Sequence, residues 1–88
     1  MATIAAANAE NAILRKGADA EKFLRLGMMY STGNSVPADM IAAHKWFNIA
    51  AMRGNSEAAR LRREIAGEMS EAEIAAAQRA ARVWLTRH

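Results

Sequence analysis

The chain has no cysteine, one proline and few aromatic residues among its 88 residues. The absence of cysteine excludes disulfide bonds and thiolate zinc sites. No apolar run approaches the ~18 residues of a membrane span, so no transmembrane segment is predicted. The first residues lack the basic segment with which a signal peptide begins. We therefore expect a cytoplasmic protein, and a periplasmic location stays open if the chain is a module of a longer protein.

Charge of either sign is modest. The chain carries 12 Lys and Arg residues against 9 Asp and Glu residues, a formal net charge of +3. The basic residues are mostly arginine and are interspersed with glutamate. A mild excess of this kind favours a solvated surface over a nucleic-acid-binding patch. We therefore do not expect nucleic acid as the partner.

Alanine makes up a quarter of the chain. Alanine loses no side-chain entropy in a helix, and its small side chain lets helix axes approach closely. The few aromatic residues then have to supply much of the core area. The composition predicts a single all-α domain over residues 1–88 with close contacts between helices.

Turn and capping signals divide the chain into five predicted helices. The first is expected to end at Lys16 and Gly17, because glycine often follows a helix C-terminus. Short connections between the helices indicate antiparallel neighbours. The expected ranges are 3–16, 20–31, the segment Val36–Asp39 to about Arg53, 57–67 and 71–86.

The starts of these helices have their own signals. Asp19 and Ser56 are placed where the N-caps of the second and fourth helices are expected. Pro37 is expected in the first turn of the third helix, where proline is tolerated. Ser70 and Glu73 have the spacing of a capping box for the last helix.

The central hairpin is the most informative part of the chain. Leu26-Gly27-x-x-Tyr30 followed by Ala43-x-x-x-Phe47 is the tetratricopeptide pattern of two packed antiparallel helices. The turn between them is longer than in that class, contains glycine, and is followed by Val-Pro-x-Asp. Residues 20–54 thereby resemble one full repeat of the Sel1-like family. The matching positions are Leu26, Gly27, Tyr30, Gly33, Val36, Pro37, Asp39, Ala43, Trp46, Phe47, Ala50, Ala51 and Gly54.

Each matching position has a physical reason. Gly27 lets the aromatic pair of the facing helix, Trp46 and Phe47, approach closely. Gly33 supplies a turn residue with positive φ. Val36 is expected to pack back against the hairpin. The family usually has glycine where Ser35 stands, and a serine with positive φ is strained, so we expect the turn to differ there.

The flanks resemble the family less closely. Residues 57–88 lack the Leu-Gly-x-x-Tyr signature but resemble the terminal helix pair that closes many bacterial Sel1-like proteins. We interpret them as a degenerate C-terminal capping pair and residues 3–17 as an N-terminal capping helix, because one repeat cannot bury both faces of its hairpin. The resemblance implies a short right-handed α-solenoid of about five helices.

The resemblance implies a noncatalytic protein–protein interaction module, an adaptor that binds a peptide or helix of a partner. No nucleophile–base pair, phosphate-binding loop or metal signature is visible. His44 has Asn48, not a second ligand, one helical turn later, so no metal site is predicted. We expect no enzymatic activity, no catalytic residue and no cofactor.

Four residues are candidates for partner contact. In the Sel1-like family the first helix of each hairpin lines the concave face, which makes Arg25 and Met29 candidates. Arg60 and Arg63 belong to the densest basic cluster and are candidates for an acidic partner. Two alternatives stay open: the methionines fill gaps in an alanine-rich core, and the arginines are solvated and balanced by neighbouring glutamates.

Two other functions remain open. A single repeat leaves a hairpin face that a second copy of the chain can cover, which predicts a small self-associating structural protein. Light scattering distinguishes that protein from a monomeric adaptor. Nucleic-acid binding through the arginine-rich helix is the third possibility, and a steep salt dependence would reveal it.

Overall fold

The structure is a computed structural model that describes residues 2–14 and 20–88, with side chains from residue 8 onward. This part of the chain contains five α-helices and no strand. The all-α class is thus confirmed for these residues. The structure is compact, with a radius of gyration of 11.9 Å. The helices are α1 (Ala2–Leu14), α2 (Ala20–Thr32), α3 (Met40–Met52), α4 (Ser56–Ala66) and α5 (Glu71–Arg87).

Helix α3 lies at the centre of the fold. It packs against α2, α4 and α5, whereas α1 contacts α2. The apolar spacing of the central hairpin explains this arrangement, because Trp46, Phe47 and Ala50 on α3 are all buried. The largest fully buried side chains come from the two hairpin helices and are Phe23, Leu26, Trp46, Phe47 and Ile49.

The hairpin core follows the sequence prediction closely. Gly27 lies against the ring of Phe47, so the close approach expected at this glycine is confirmed. Val36 is 4% exposed and packs into the core, as expected. Tyr30 is buried, and its hydroxyl donates a hydrogen bond to the carboxylate of Glu10 on α1.

The turn after α2 uses positive φ at two residues. Gly33 has a φ of 74°, as predicted. Ser35 also has a φ of 74°, so this serine adopts the conformation that it was expected to avoid. The amide groups of Gly33 and Asn34 both donate to the carbonyl oxygen of Met29, at 3.0 and 3.1 Å. These hydrogen bonds close the C-terminus of α2.

Two helix starts differ from the prediction. Helix α3 begins at Met40 with Asp39 as its N-cap, so Pro37 precedes the helix and does not lie in its first turn. Helix α4 is capped by Asn55, whose side chain accepts a hydrogen bond from the amide of Ala58, and Ser56 is its first residue. Asparagine and serine are both good N-caps, so adjacent residues of these types do not reveal which one caps.

Of the other predicted helix ends, those that the structure describes are confirmed. The capping box of α5 is confirmed: Ser70 accepts from the amide of Glu73, and Glu73 accepts from the amide of Ser70. Gly54 follows the last turn of α3, as expected. Asp19 and the segment Lys16–Gly17, predicted as a cap and a helix end, lie outside the described residues.

An aromatic cluster joins α5 to the hairpin. The ring of Phe23 stacks on Trp46 with centroids 5.9 Å apart. Trp84 of α5 meets both rings edge to face, at 5.2 Å from Phe23 and 5.3 Å from Trp46. Edge-to-face pairs add to the free energy gained from burial. This contact covers the hairpin with α5, and the buried Ala77 and Ala81 lie on the same helix.

Candidate functional site

The four residues predicted to contact a partner lie in three environments. Arg25 and Met29, one turn apart on α2, line a cavity beside α1. Arg63 lines a second cavity, formed by α3, α4 and α5. Arg60 forms ion pairs within its own helix. The structure therefore does not bring the four residues together.

The first cavity, called here the α1–α2 cavity, has a volume of about 410 Å³. It combines apolar and cationic side chains with the polar turn that follows α2. Its volume lies in the range of pockets that hold small ligands or single side chains of a partner. Its wall includes Ile13, Arg25, Met28, Met29, Asn34 and Ser35.

The two methionines of this cavity differ in exposure. Met29 is 8% exposed and belongs to the hydrophobic core, whereas Met28 is 46% exposed. Met29 follows Leu26 by three residues and therefore lies on the core face of α2. The expectation that Met29 is the surface methionine beside Arg25 is thus corrected. Met28 presents most of the methionine surface, and Met29 contributes a buried part of the wall.

A group of polar side chains attaches α1 to the hairpin. Tyr30 of α2 donates its hydroxyl proton to Glu10 of α1. Lys45 of α3 lies with its Nζ 4.1 Å from the ring centroid of Trp46, a cation–π contact. Burial lowers the pKa of Lys45, while the charges of Glu10 and Asp39 oppose that shift. The hydrogen bond from Tyr30 to Glu10 links α1 to α2, the two helices that border the cavity.

Arg60 is engaged on the surface of α4. Its guanidinium contacts Glu57 at 2.9 Å and also pairs with Glu64. All three side chains are more than half exposed. The hydrogen bond from Arg60 lowers the pKa of Glu57 below its usual value. The charge of Arg60 is therefore balanced locally, which agrees with the open alternative of a solvated helix surface.

The second cavity, called here the α3–α4–α5 cavity, has a volume of about 360 Å³. The side chains that α3 and α5 contribute lie one helical turn apart, and the two arginines of α4 are adjacent in sequence. Five of the residues that line it have side chains of types that can donate or accept hydrogen bonds. The residues concerned here are His44, Asn48, Arg62, Arg63, Ile74 and Gln78.

The polar groups of this cavity are partly connected. Nη1 of Arg62 donates to Oδ1 of Asn48 at 2.6 Å. His44 is only 3% exposed, and its Nδ1 has no hydrogen-bond partner. Burial, and secondarily the charge of Arg62, lower the pKa of His44. His44 is therefore a neutral imidazole near pH 7, with unused capacity to donate or accept a hydrogen bond.

Sequence reasoning did not identify this second cavity. It identified Arg63 as a candidate for partner contact, but it considered His44 only as a possible metal ligand and rejected that role. The i, i+4 spacing of His44 and Asn48, repeated by Ile74 and Gln78, was the available signal. Such spacing shows that two side chains share a face, but only the packing of three helices shows that the faces meet.

Metal ligands and membrane-spanning helices can be assessed for the residues that the structure describes. In that part of the chain no three His, Asp or Glu side chains converge as a metal ion requires. None of the described helices has both the length and the apolar character needed to cross a membrane.

The chain was compared with protein-family models, with curated proteins and with solved structures, and none of them gives a significant match. The resemblance to the Sel1-like family therefore rests on the sequence pattern of the hairpin and of the flanking helices, and it stays a prediction.

Proposed function

We propose that the chain is a noncatalytic interaction module of the Sel1-like type, with its helices arranged as a short right-handed solenoid. We further propose that the α1–α2 cavity binds a peptide or helix of a partner protein. One observation carries this proposal. Arg25 and the methionines Met28 and Met29 line a single cavity of about 410 Å³ beside a polar turn.

The lining determines the chemistry of the expected partner segment. Arg25 is exposed and offers a guanidinium to a carboxylate. Met28 is half exposed, and methionine adapts its shape to different apolar side chains. We therefore expect a segment that presents an acidic side chain next to an apolar one. On a helical partner the two would lie three or four residues apart, because such positions share a face.

The arrangement of the arginines favours this proposal over nucleic-acid binding. Arg60 pairs with two glutamates of α4, so its charge is balanced within its own helix. Arg60 and Arg63 lie in different environments, so the cluster does not present one basic surface. Phosphate-backbone binding usually needs several unpaired cations on the same face.

A peptide array with acidic and apolar residues in all spacings tests the proposal. We expect a subset of peptides to bind, with a preference for an acidic residue three or four positions from an apolar one. Arg25→Glu should abolish that binding because it replaces the cation with a like charge. Arg79→Glu is the matched control, since Arg79 is an exposed arginine of α5 outside the cavity.

Two results would contradict the proposal. One is an array on which no peptide binds. The other is equal loss of binding in the Arg25→Glu and Arg79→Glu variants, since net charge alone would then explain the binding. Light scattering on the same samples tests the self-association alternative, because a monomer at all concentrations argues against it.

A further inference from the structure

The α3–α4–α5 cavity has the features of a small-molecule site that is separate from the α1–α2 cavity. The two cavities share no lining residue. A volume of about 360 Å³ is larger than an inorganic anion needs and lies at the lower end of pockets that hold small organic ligands. Ile74 supplies an apolar wall, and Asn48 and Gln78 supply amide groups.

The charge in this cavity is positive. Arg62 and Arg63 both line it, and none of the lining residues is acidic. Among the described residues of α4, the ion pairs are those of Arg60 with Glu57 and Glu64. The two lining arginines therefore bring about two positive charges to the cavity without a carboxylate in its wall.

The guanidinium of Arg62 is held by one hydrogen bond and has further N–H donors available for a ligand. It uses Nη1 to bond Oδ1 of Asn48 at 2.6 Å. A guanidinium carries five N–H groups, so donors remain for a ligand. Because the bond to Asn48 orders the side chain in advance, less conformational entropy is lost when a ligand binds. Arg63 is exposed and lines the same cavity.

His44 lies in the wall of the same cavity as Arg62 and Arg63. Its side chain is 97% buried, lines the cavity, and leaves Nδ1 without a partner. Nδ1 itself has no exposed surface, so a ligand does not reach that atom, but an anion in the cavity would lie close to the imidazole. His44 therefore reports on the charge of a molecule bound in the cavity.

We propose that the α3–α4–α5 cavity binds a small phosphate monoester, with the phosphate held by Arg62 and Arg63 and the organic part lying toward Ile74 and Gln78. A phosphate monoester carries about −1.5 to −2 charges near pH 7, which matches two guanidinium groups. Arginine binds phosphate oxygens in a bidentate way. A single carboxylate would leave one arginine unmatched.

The test uses the full chain and follows His44 by NMR while glycerol 1-phosphate is added. We expect saturable shifts of the His44 imidazole, and a rise of its pKa in the bound state, because a nearby anion favours the imidazolium. His88 is the only other histidine and serves as an internal control. Inorganic phosphate should bind more weakly, because it lacks the organic part.

Variants assign the binding to this cavity. Arg63→Gln should weaken binding roughly tenfold, since a hydrogen bond to a charged group is lost. Arg63 is exposed, so this variant is expected to fold, and circular dichroism checks that it does. Arg79→Gln removes an exposed arginine outside the cavity and should leave the affinity unchanged.

Three outcomes would overturn the proposal. The first is the absence of saturable binding of glycerol 1-phosphate at millimolar concentration. The second is equal or tighter binding of citrate or acetate, which would make the site a carboxylate site. The third is tighter binding of a short oligonucleotide that Arg79→Gln weakens as much as Arg63→Gln, which would indicate a diffuse phosphodiester surface.

Discussion

Gly27 of α2 lies against the ring of Phe47 on α3 so closely that no side chain fits between them. A Cβ atom built on Gly27 would lie 2.9 Å from Cγ of Phe47 and closer still to two other ring carbons. Phe47 is 1% exposed and is held by the core on its other sides. The ring therefore has no free direction in which to move, and this contact sets the distance between α2 and α3.

The overlap that Gly27→Ala creates with the ring of Phe47 should cost about 3 kcal/mol, the upper end of the usual range for overpacking a core. The gain in helix propensity from glycine to alanine, about 1 kcal/mol, reduces this loss but does not cancel it. Urea unfolding measures the difference. Gly67→Ala is the matched control, because a Cβ there meets only a carbonyl oxygen at 3.4 Å, and it should be neutral or slightly stabilising. Equal stability of the two variants would contradict the proposed close contact.

Tyr30 should resist ionisation in the folded protein. Burial, followed by the hydrogen bond and charge of Glu10, raises the pKa of Tyr30 far above its usual value. Tyr30 is the only tyrosine, so the absorbance of phenolate reports on this residue alone. Because the native pKa is raised, the stabilisation is complete below about pH 10 and is lost as the pH rises above it, where the unfolded chain ionises first.

Glu10→Gln tests the cause of this behaviour. The amide still accepts a hydrogen bond from Tyr30 but carries no charge, so the phenol should ionise at lower pH than in the wild type while burial keeps it above the usual value. Glu68→Gln removes an exposed carboxylate elsewhere and should not change the titration. Native phenolate formation near pH 10 in the wild type would show that Glu10 does not hold Tyr30.

The hairpin was predictable because its determinants are local. The spacing of Ala43, Trp46, Phe47 and Ala50 defines one face of α3, and burial of all four follows from helical geometry. Gly27 marked the place where the facing helix approaches. The capping box of α5 was equally local, since both hydrogen bonds join residues three positions apart.

The sites were less predictable because they depend on how helices are placed. Met28 and Met29 are neighbours in sequence, but successive residues point about 100° apart around a helix, so only the packing decides which one is buried. The α3–α4–α5 cavity needs three helices at a defined distance. No spacing within one helix reports on His44, Arg62 and Gln78 together. The sequence therefore identified Arg63 but not its surroundings.

Asn55 and Ser56 provide a direct test of which residue caps α4. The side chain of Asn55 accepts from the amide of Ala58 at 2.7 Å. Asn55→Ala should therefore cost about 1 kcal/mol of unfolding free energy. Ser56→Ala changes the first residue inside the helix and should be neutral or slightly stabilising. Thermal or urea unfolding of the pair decides, and a larger loss in Ser56→Ala would reverse the assignment.

Ser35→Gly should stabilise the protein. Ser35 has a φ of 74°, in the left-handed region, where a residue with a Cβ is strained by about 1–2 kcal/mol. Glycine removes that strain, but it loses more backbone entropy on folding, which costs about 0.5–1 kcal/mol. We therefore expect a net increase in the free energy of unfolding of about 0.5–1 kcal/mol. Ser31→Gly, within α2, should instead destabilise by about 0.5 kcal/mol. A destabilised Ser35→Gly variant would show that its side chain is needed in the turn.

His44 should make the protein less stable in mild acid. Burial, and then the charge of Arg62, lower the pKa of His44 below its usual value near 6.5. Since the native pKa is the lower one, the unfolded chain binds the proton first as the pH falls. The stability contributed by neutral His44 is thus complete above about pH 6.5 and is lost as the pH decreases toward the native pKa.

His44→Leu isolates this effect, because leucine cannot titrate. Unfolding free energies of wild type and variant are measured at about pH 7.5 and about pH 5. The wild type should lose more stability than His44→Leu over this interval, by about 1.4 kcal/mol for each unit by which the pKa is lowered within the interval. His88→Leu, which replaces the exposed histidine, is the matched control variant. If wild type and His44→Leu lose the same stability, the imidazole of His44 is protonated as easily in the folded protein as in the unfolded chain.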